Sequence, residues 1–207
     1  MSAQARVSSL GWFLAASLIA LASASNAQTL SGVTLANALR QGGYVLVMRH
    51  TNSPAQPPAK DAADAENVKL ERQLDSAGRD QARSIGEALK NLHLPVGAVF
   101  SSPTYRALQT VQLASLGNAQ VFPELDEGAQ GMQSNADKAR SAWLRAKVTE
   151  TPRMGTDTVI VTHAPNIAGA FGLDVAAGET VVFHPDGKGG AAQIARIKLG
   201  DWQGLAK

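Results

Sequence analysis

Two histidines and an arginine stand in this sequence directly after short apolar segments. The apolar run 45–48 leads into Arg49 and His50, and a second run, over 158–162, ends at His163. Runs this short and rich in β-branched residues are typical of buried strands. Because ligands bind at the carboxyl ends of the strands in open α/β sheets, we expect these polar side chains to meet at one edge of a sheet.

Arg106 and Glu124 are predicted to reach the same edge. Arg106 lies in the first turn of a helix that is expected to begin at Pro103 behind a serine cap, and Glu124 lies in the loop after a short strand. The planar fork of arginine suits phosphate oxygens, and helices beginning after Ser102 and His163 would add backbone donors. The side chains together predict an anion site.

The residue types at this site fit phosphoryl transfer. A neutral imidazole can act as a nucleophile, and His50 is the candidate. Arg49 and Arg106 would neutralise the transferring group, and His163 would help to hold it. Glu124 would act as the general acid that protonates the leaving oxygen.

The hydrophobic pattern alternates strands with helices. The predicted strands cover 44–50, 96–100, 120–122, 158–162, 179–184 and 191–199, and the predicted helices cover 34–40, the segment from the cap Ser76 to Pro95, 104–116, 136–148 and 164–171. The last two strands are expected to pair as a hairpin across a Pro-Asp-Gly turn. This order predicts an α/β fold, a three-layer α/β/α sandwich with a mostly parallel central sheet.

One long connection interrupts this alternation. Residues 51–68 contain three prolines and many small residues, so they are predicted to form a loop. Loops of this length in compact domains are usually functional lids or mobile segments.

The first 27 residues have the composition of a secretory signal peptide. Arg6 is their only charge, an apolar core of about 13 residues follows, and Ser25-Asn26-Ala27 fits a cleavage site. The core is shorter than the ~20 residues of a membrane-spanning helix, which disfavours the alternative of an N-terminal anchor. The sequence thus predicts a signal peptide over 1–27, cleavage after Ala27, a single domain over 28–207 and a periplasmic or secreted location.

Composition excludes several classes of function. The chain has no cysteine, so disulfides, thiolate chemistry and cysteine metal sites are absent. Without Arg6 it has 18 basic and 17 acidic residues, which gives no electrostatic case for binding nucleic acid. We expect no cofactor and no metal, since the arginines would repel a cation. No stable membrane insertion is expected after cleavage, and the predicted partner is a small phosphorylated substrate.

These segments together resemble the histidine phosphatase superfamily, in the branch that includes the cofactor-dependent phosphoglycerate mutases. The motifs that carry the resemblance are Arg49-His50-Thr51, the helix start Leu74-Asp75-Ser76-Ala77-Gly78-Arg79-Asp80-Gln81-Ala82, Ser101-Ser102-Pro103-Thr104-Tyr105-Arg106-Ala107-Leu108-Gln109-Thr110, and Val161-Thr162-His163-Ala164. They occur in the family's order and span residues 44 to about 170. The resemblance implies a phosphoglycerate mutase-like fold, a phosphorylated nucleophile at His50 and phosphate binding by Arg49, Arg106 and His163. Asn52, which follows the nucleophile, is a further candidate for substrate contact.

The sequence departs from the family pattern at two places. Thr51 replaces the usual small residue after the nucleophile. The family acid lies in a Leu-x-Glu-x-x-x-Gly pattern, and Glu124 has the right spacing to Gly128 but has Phe122-Pro123 where the leucine is expected. Asp126 and Glu127 are rival acids on the same loop.

The sequence therefore predicts an exported, metal-independent phosphatase that hydrolyses phosphomonoesters through a phosphohistidine. A mutase or a phosphohistidine-protein phosphatase would use the same site. A non-catalytic phosphate- or phosphosugar-binding module is the alternative from another class. A histidine and carboxylate metal hydrolase is disfavoured by the arginines.

Overall fold

The computed structural model describes residues 29–128 and 135–205. The signal peptide predicted over 1–27 lies outside the described residues, and so does the irregular segment predicted over 130–134. Among the described residues, no helix is both long enough and apolar enough to cross a membrane.

The elements follow the predicted alternation. The strands are β1 (Val45–Arg49), β2 (Val96–Ser101), β3 (Gln120–Val121), β4 (Asp157–Thr162), β5 (Thr180–Pro185) and β6 (Ala191–Ile197). The helices are α1 (Gly32–Gln41), α2 (Ser76–Asn91), α3 (Tyr105–Leu113), α4 (Asn135–Lys147), α5 (Ala164–Phe171) and α6 (Asp201–Leu205), with a 3-10 turn over Pro123–Leu125. Helix α6 is the element that the sequence pattern did not predict.

The six strands form one sheet in the order β3-β2-β4-β1-β5-β6. The first four are mutually parallel, whereas β5 runs antiparallel to β1 and pairs with β6 as the predicted hairpin. The prediction of a mostly parallel sheet is confirmed, and the antiparallel pairs lie at one side of it.

Helices cover both faces of the sheet and give the predicted three layers. Buried residues of α1, α2, α3 and α6 pack on one face, including Leu39, Ile85 and Trp202. Buried residues of α4 and α5, including Leu144 and Ile167, pack on the other face. The central strands β1 and β4 are buried on both faces, which is why they read as continuous apolar runs.

Two helix starts near the candidate site differ from the prediction, one by a single position and one by two positions. The cap of α2 is Asp75 rather than Ser76, and its carboxylate accepts a hydrogen bond from the Gly78 N–H at 2.7 Å. The cap of α3 is Thr104, so Pro103 precedes the helix instead of occupying its first position. Aspartate accepts the free N–H groups of a first turn as well as serine does, which is why Asp75 can cap α2 in place of the predicted Ser76.

Candidate phosphate-binding site

The nucleophile candidate and the second histidine lie side by side at the carboxyl end of the sheet. Strands β1 and β4 are parallel neighbours, and the N–H of His50 donates to the Thr162 carbonyl at 3.0 Å. The centroids of the His50 and His163 rings are 5.1 Å apart. Both side chains are buried. The structure thus brings together two residues that are more than a hundred positions apart in the chain.

The hydrogen bonds of His50 assign its tautomer. Its Nδ1 lies 2.7 Å from the Thr51 carbonyl oxygen, which can only accept, so Nδ1 carries the proton. Its Nε2 is then free to accept, and it receives a hydrogen bond from Nε of Arg106 at 3.2 Å. Burial lowers the pKa of His50 to about 3; the Thr51 hydrogen bond opposes this shift, and the charges of Arg106, Arg49 and Arg72 reinforce it. The imidazole is therefore neutral, with a lone pair on Nε2.

His163 is also neutral but has the opposite tautomer. Its Nδ1 lies 3.2 Å from Nη2 of Arg106, and an arginine nitrogen can only donate. Its Nε2 lies 2.8 Å from the Ser102 hydroxyl and 3.3 Å from the Thr104 hydroxyl, so the Nε2–H points at the start of α3. Burial, followed by the charge of Arg106, lowers the pKa of His163 to about 2.

Arg106 is the centre of the cluster. Its side chain is buried, it donates to both histidines, and its Nη2 lies 2.6 Å from Oε1 of Glu127. Oε2 of Glu127 lies 3.7 Å from Nδ1 of His163. A carboxylate therefore sits among the groups predicted to hold phosphate oxygens, and it belongs to Glu127.

The 3-10 turn before Glu127 ties the acidic loop to the site. The carbonyl of buried Leu125 accepts a hydrogen bond from the Thr162 hydroxyl at 2.9 Å, next to His163. Glu124 lies within this turn and is half-buried, and its side chain makes no hydrogen bond or ion pair with any described residue. Glu124 as the general acid stays a prediction, and Glu127 is the carboxylate that contacts Arg106.

The family's acid pattern contains a signal for Glu127 that the sequence interpretation missed. Leu125, Glu127 and Gly131 fit Leu-x-Glu-x-x-x-Gly at every specified position, three residues later than the match through Glu124. Gly131 lies outside the described residues. The leucine distinguishes the two matches, because it is the residue that anchors the loop.

Arg49 projects from the end of β1 and is fixed from the neighbouring loop. Its Nη1 donates to the Val175 carbonyl at 2.8 Å, and its backbone N–H donates to the Glu179 carbonyl at 3.0 Å. Buried Glu179 is paired with Arg196 and also accepts from the Ala176 N–H, which holds this loop in place. The charge of Arg49 adds to the lowering of the His50 pKa, after burial and the charge of Arg106.

Arg72 is a third arginine at the site, and the sequence did not indicate it. It lies 3.8 Å from Oε1 of Glu127 through Nη1, and its Nε donates to the Pro54 carbonyl at 2.7 Å. Its charge lowers the pKa of both site histidines. The carboxylate of the preceding Glu71 accepts the free N–H of Tyr105 at the start of α3, which brings Arg72 toward Arg106.

The connection between β1 and α2, which contains the predicted loop and Arg72, is held by its own polar network. Buried Gln73 accepts from the N–H of Asp64 and from the side chain of Asn67, and it donates to the Ala62 carbonyl. Asp64 in turn accepts from the Gln109 side chain of α3. The segment predicted as a loop over 51–68 is thus an ordered connection that packs against α3.

Asn52 holds the two ends of this loop together. Its side-chain amide donates to Oδ2 of Asp75 at 2.6 Å, and its N–H donates to the Gln81 side chain at 3.0 Å. A Cβ atom at Gly78 would lie 2.0 Å from the Asn52 carbonyl oxygen, so only glycine fits there. Among the described residues, the Asn52 side chain has no hydrogen bond to the two histidines or to Arg106. Its predicted contact with substrate stays a prediction.

The described residues contain no group of three or more histidine, cysteine, aspartate or glutamate side chains that could hold a metal ion. The charges that surround the two histidines come mainly from arginine. The arrangement can bind a compact anion and present to it one neutral imidazole nitrogen.

Comparison with known proteins identifies the family of the chain. The sequence model of the histidine phosphatase superfamily (branch 1) matches residues 45–159, more than half of the chain. The chain belongs to this superfamily, whose members are phosphatases or mutases. This supports a phosphatase-type enzyme. No match was found among curated protein sequences.

Solved structures agree on the fold. The protein histidine phosphatase SixA complexed with tungstate is 20% identical, with 76% of this chain and 97% of that chain covered and a TM-score of 0.56. A mutant phosphoserine phosphatase from Entamoeba histolytica, in complex with phosphoserine, is 13% identical, with 78% and 98% covered and a TM-score of 0.53. At these identities the likeness establishes the phosphoglycerate mutase-like fold.

Proposed function

We propose that the protein is a metal-independent phosphatase that hydrolyses phosphomonoesters through a phosphohistidine on His50. The observation that carries the proposal is the geometry of His50. Its Nδ1–H is held by the Thr51 carbonyl, and its Nε2 lone pair points at the guanidinium of Arg106. A nucleophile in this state needs no base to activate it.

In the first half-reaction the bound phosphate draws the Nε–H of Arg106 away from Nε2 of His50, and the freed lone pair forms a bond with phosphorus. The bond from phosphorus to the ester oxygen breaks, and the oxygen leaves with a proton from a carboxylic acid. Arg106, Arg49 and Arg72 neutralise the phosphoryl oxygens in the transition state, where buried positive charge has its largest effect. The bound phosphate displaces Glu127 from Arg106, because both are anionic ligands of one guanidinium.

The second half-reaction returns His50 to its starting state. The same carboxylate takes a proton from water, the water oxygen bonds to phosphorus, and the phosphorus–nitrogen bond breaks. Inorganic phosphate then leaves. We propose Glu127 for the acid and base roles, because its carboxylate already lies between Arg106 and His163. Glu124 is the second candidate, retained from its loop position.

A standard phosphatase assay tests this function. Purified mature protein should hydrolyse p-nitrophenyl phosphate in the presence of a chelator, and His50→Ala should lose ~10³-fold or more of kcat. His184→Ala is the matched control. His184 is exposed on β5 next to Tyr44, and Tyr44 and His50 lie at opposite ends of β1. Activity that survives in His50→Ala, or that disappears with chelator in the wild type, would contradict the proposal.

The same assay separates the alternatives. A phosphohistidine-protein phosphatase would prefer a phosphohistidine peptide over sugar phosphates in a substrate panel, and a mutase would convert one phosphoester into its isomer. A binding module would bind inorganic phosphate and release no product from any substrate.

We also propose that the enzyme acts after export. The basis is the charge and apolar pattern of residues 1–27. Shortly after them, the Leu30 N–H donates to the Ile194 carbonyl at 2.7 Å and so joins the chain to the sheet. Full-length protein expressed in a Gram-negative host with a C-terminal tag should be recovered from the periplasm with Gln28 as its first residue. Recovery of the uncleaved chain from the cytoplasm would contradict this proposal.

A further inference from the structure

The residue that departs from the family pattern after the nucleophile has a defined partner. The N–H of Thr51 donates to the hydroxyl of Thr110 at 3.2 Å, and the two hydroxyl oxygens are 3.3 Å apart. The Thr110 hydroxyl itself donates to the Arg106 carbonyl at 2.9 Å. Both threonines are completely buried. We call this arrangement the Thr51–Thr110 hydroxyl pair.

Hydrogen-bonding capacity fixes the direction of each bond in the pair. A hydroxyl has one donor and two acceptor lone pairs. The Thr110 hydroxyl donates its single proton to the Arg106 carbonyl, so it accepts both from the N–H and from the hydroxyl of Thr51. Thr110 is therefore saturated, and removing its hydroxyl leaves the buried N–H and hydroxyl of Thr51 without this partner, whereas removing the Thr51 hydroxyl costs one bond.

The pair joins the two groups that must face each other in the reaction. Thr51 holds Nδ1–H of His50 through its carbonyl, and Thr110 holds the turn of α3 from which Arg106 projects. Hydrogen bonds through Thr51 and Thr110 thus connect the His50 ring to the Arg106 backbone. The side chains of the same two residues are also in direct contact, because Nε of Arg106 donates to Nε2 of His50 at 3.2 Å. Loss of one of these hydrogen bonds would move the His50 ring relative to the guanidinium of Arg106.

We propose that Thr51 and Thr110 are positioning residues that set the orientation of His50 against Arg106. The proposal rests on the function proposed above. Both threonine side chains are completely buried, so each acts through the imidazole or the guanidinium. Positioning of this kind affects the chemical step more than binding, because a displacement of about 1 Å in a reacting group can cost ~10²-fold in rate.

The test compares Thr110→Val with Thr110→Ser. The valine variant keeps the shape but removes the hydroxyl, so kcat with p-nitrophenyl phosphate should fall about 10- to 100-fold with KM little changed. The serine variant keeps the hydroxyl and should recover most of kcat. Thr51→Val, which removes only the hydroxyl-to-hydroxyl bond, should lie between wild type and Thr110→Val.

Thr180→Val is the matched control for a buried threonine. Thr180 is completely buried on β5, and its hydroxyl has no hydrogen-bond partner among the described residues. This variant should keep wild-type kcat. If Thr110→Val fails to fold by circular dichroism, the comparison of Thr51→Val with Thr180→Val decides in its place.

A second measurement separates positioning from the proposed function itself. Nitrogen-15 NMR of the imidazoles should show His50 with its proton on Nδ1 in the wild type and a mixture of tautomers in Thr110→Val. This readout needs no turnover, so an inactive wild type would contradict the phosphatase proposal and leave the tautomer test intact. Any of three results would overturn the positioning proposal. They are wild-type kcat in Thr110→Val, an equal loss of kcat in Thr110→Ser and Thr110→Val, and an unchanged His50 tautomer in Thr110→Val.

Discussion

Nε of Arg106 donates a hydrogen bond to Nε2 of His50 at 3.2 Å, across 56 positions of the chain. This contact means that the atom proposed to attack phosphorus already faces the guanidinium proposed to hold it. The contact also requires His50 to be neutral, because a protonated Nε2 could not accept. The nucleophile and its electrostatic partner are thus assembled before a substrate arrives, which is the condition for efficient stabilisation of a transition state.

The first prediction concerns the titration of the site histidines. Burial lowers the pKa of His50 to about 3 and that of His163 to about 2, so both rings should stay neutral from pH 4.5 to 8. Nitrogen-15 NMR of the free protein checks this, with His50→Ala and His163→Ala used for assignment. If the protein unfolds or loses activity at a pH above 4.5, His50 should still be neutral at that pH. A His50 signal that titrates near pH 6.5 would contradict the structure.

The same shifts predict how these groups affect stability. His50 has a pKa of 6.5 in the unfolded chain and a lower pKa in the folded protein. Its contribution to the free energy of unfolding is therefore complete above pH 6.5. The contribution is lost as pH falls from 6.5 toward 3, because the unfolded chain then binds more protons. Removing His50 should therefore flatten the loss of stability between those two pH values.

The second prediction distinguishes the two candidate acids. Glu127→Gln should lower kcat by ~10²-fold or more, because it removes the proton donor and the base for water. The loss should be larger for phenyl phosphate than for p-nitrophenyl phosphate, since the poorer leaving group needs the proton more. Glu124→Gln is the matched control on the same loop and should remain close to wild type. A larger loss of kcat in Glu124→Gln than in Glu127→Gln would assign the acid role to Glu124.

The third prediction concerns a buried carboxyl group at the other end of β4. Asp157 is completely buried, one of its oxygens accepts from the Tyr44 N–H at 2.9 Å, and the other has no partner among the described residues. Burial raises the pKa of Asp157 from 3.8 to about 7, and the Tyr44 hydrogen bond opposes the shift. Stability from this group is therefore lost as pH rises from about 4 to 7.

Asp157→Asn removes this charge. The variant should be more stable than wild type at pH 8.5, by about 1–3 kcal/mol in the free energy of unfolding, and close to wild type at pH 4.5. Urea unfolding at the two pH values checks this, with the exposed Asp61→Asn as the control. An equal difference at both pH values would show that Asp157 is ionised throughout.

Much of the site could be predicted because it depends on strand ends. The apolar runs before Arg49 and His163 are visible in the sequence, and parallel strands bring their carboxyl ends to one edge of the sheet. Arg106 could be placed because its helix starts directly after β2. These positions need only the order of the elements, and the structure agrees with them.

The remaining residues depend on contacts that no periodicity encodes. Arg72 reaches the site because the long loop packs on α3, through Glu71 and Asp64, and a loop pattern carries no such information. Glu127 and Glu124 have the same spacing to a glycine, so spacing alone could not decide between them. The buried Leu125 that anchors the turn is the feature that separates the two.

The decisive experiment is direct detection of a phosphohistidine on His50. The wild-type protein would be mixed with p-nitrophenyl phosphate labelled with phosphorus-32, quenched in alkali within milliseconds and digested for mass spectrometry. We expect an acid-labile, alkali-stable label on the peptide that contains His50, and no label in His50→Ala. Rapid turnover by the wild type without label on His50 would contradict it.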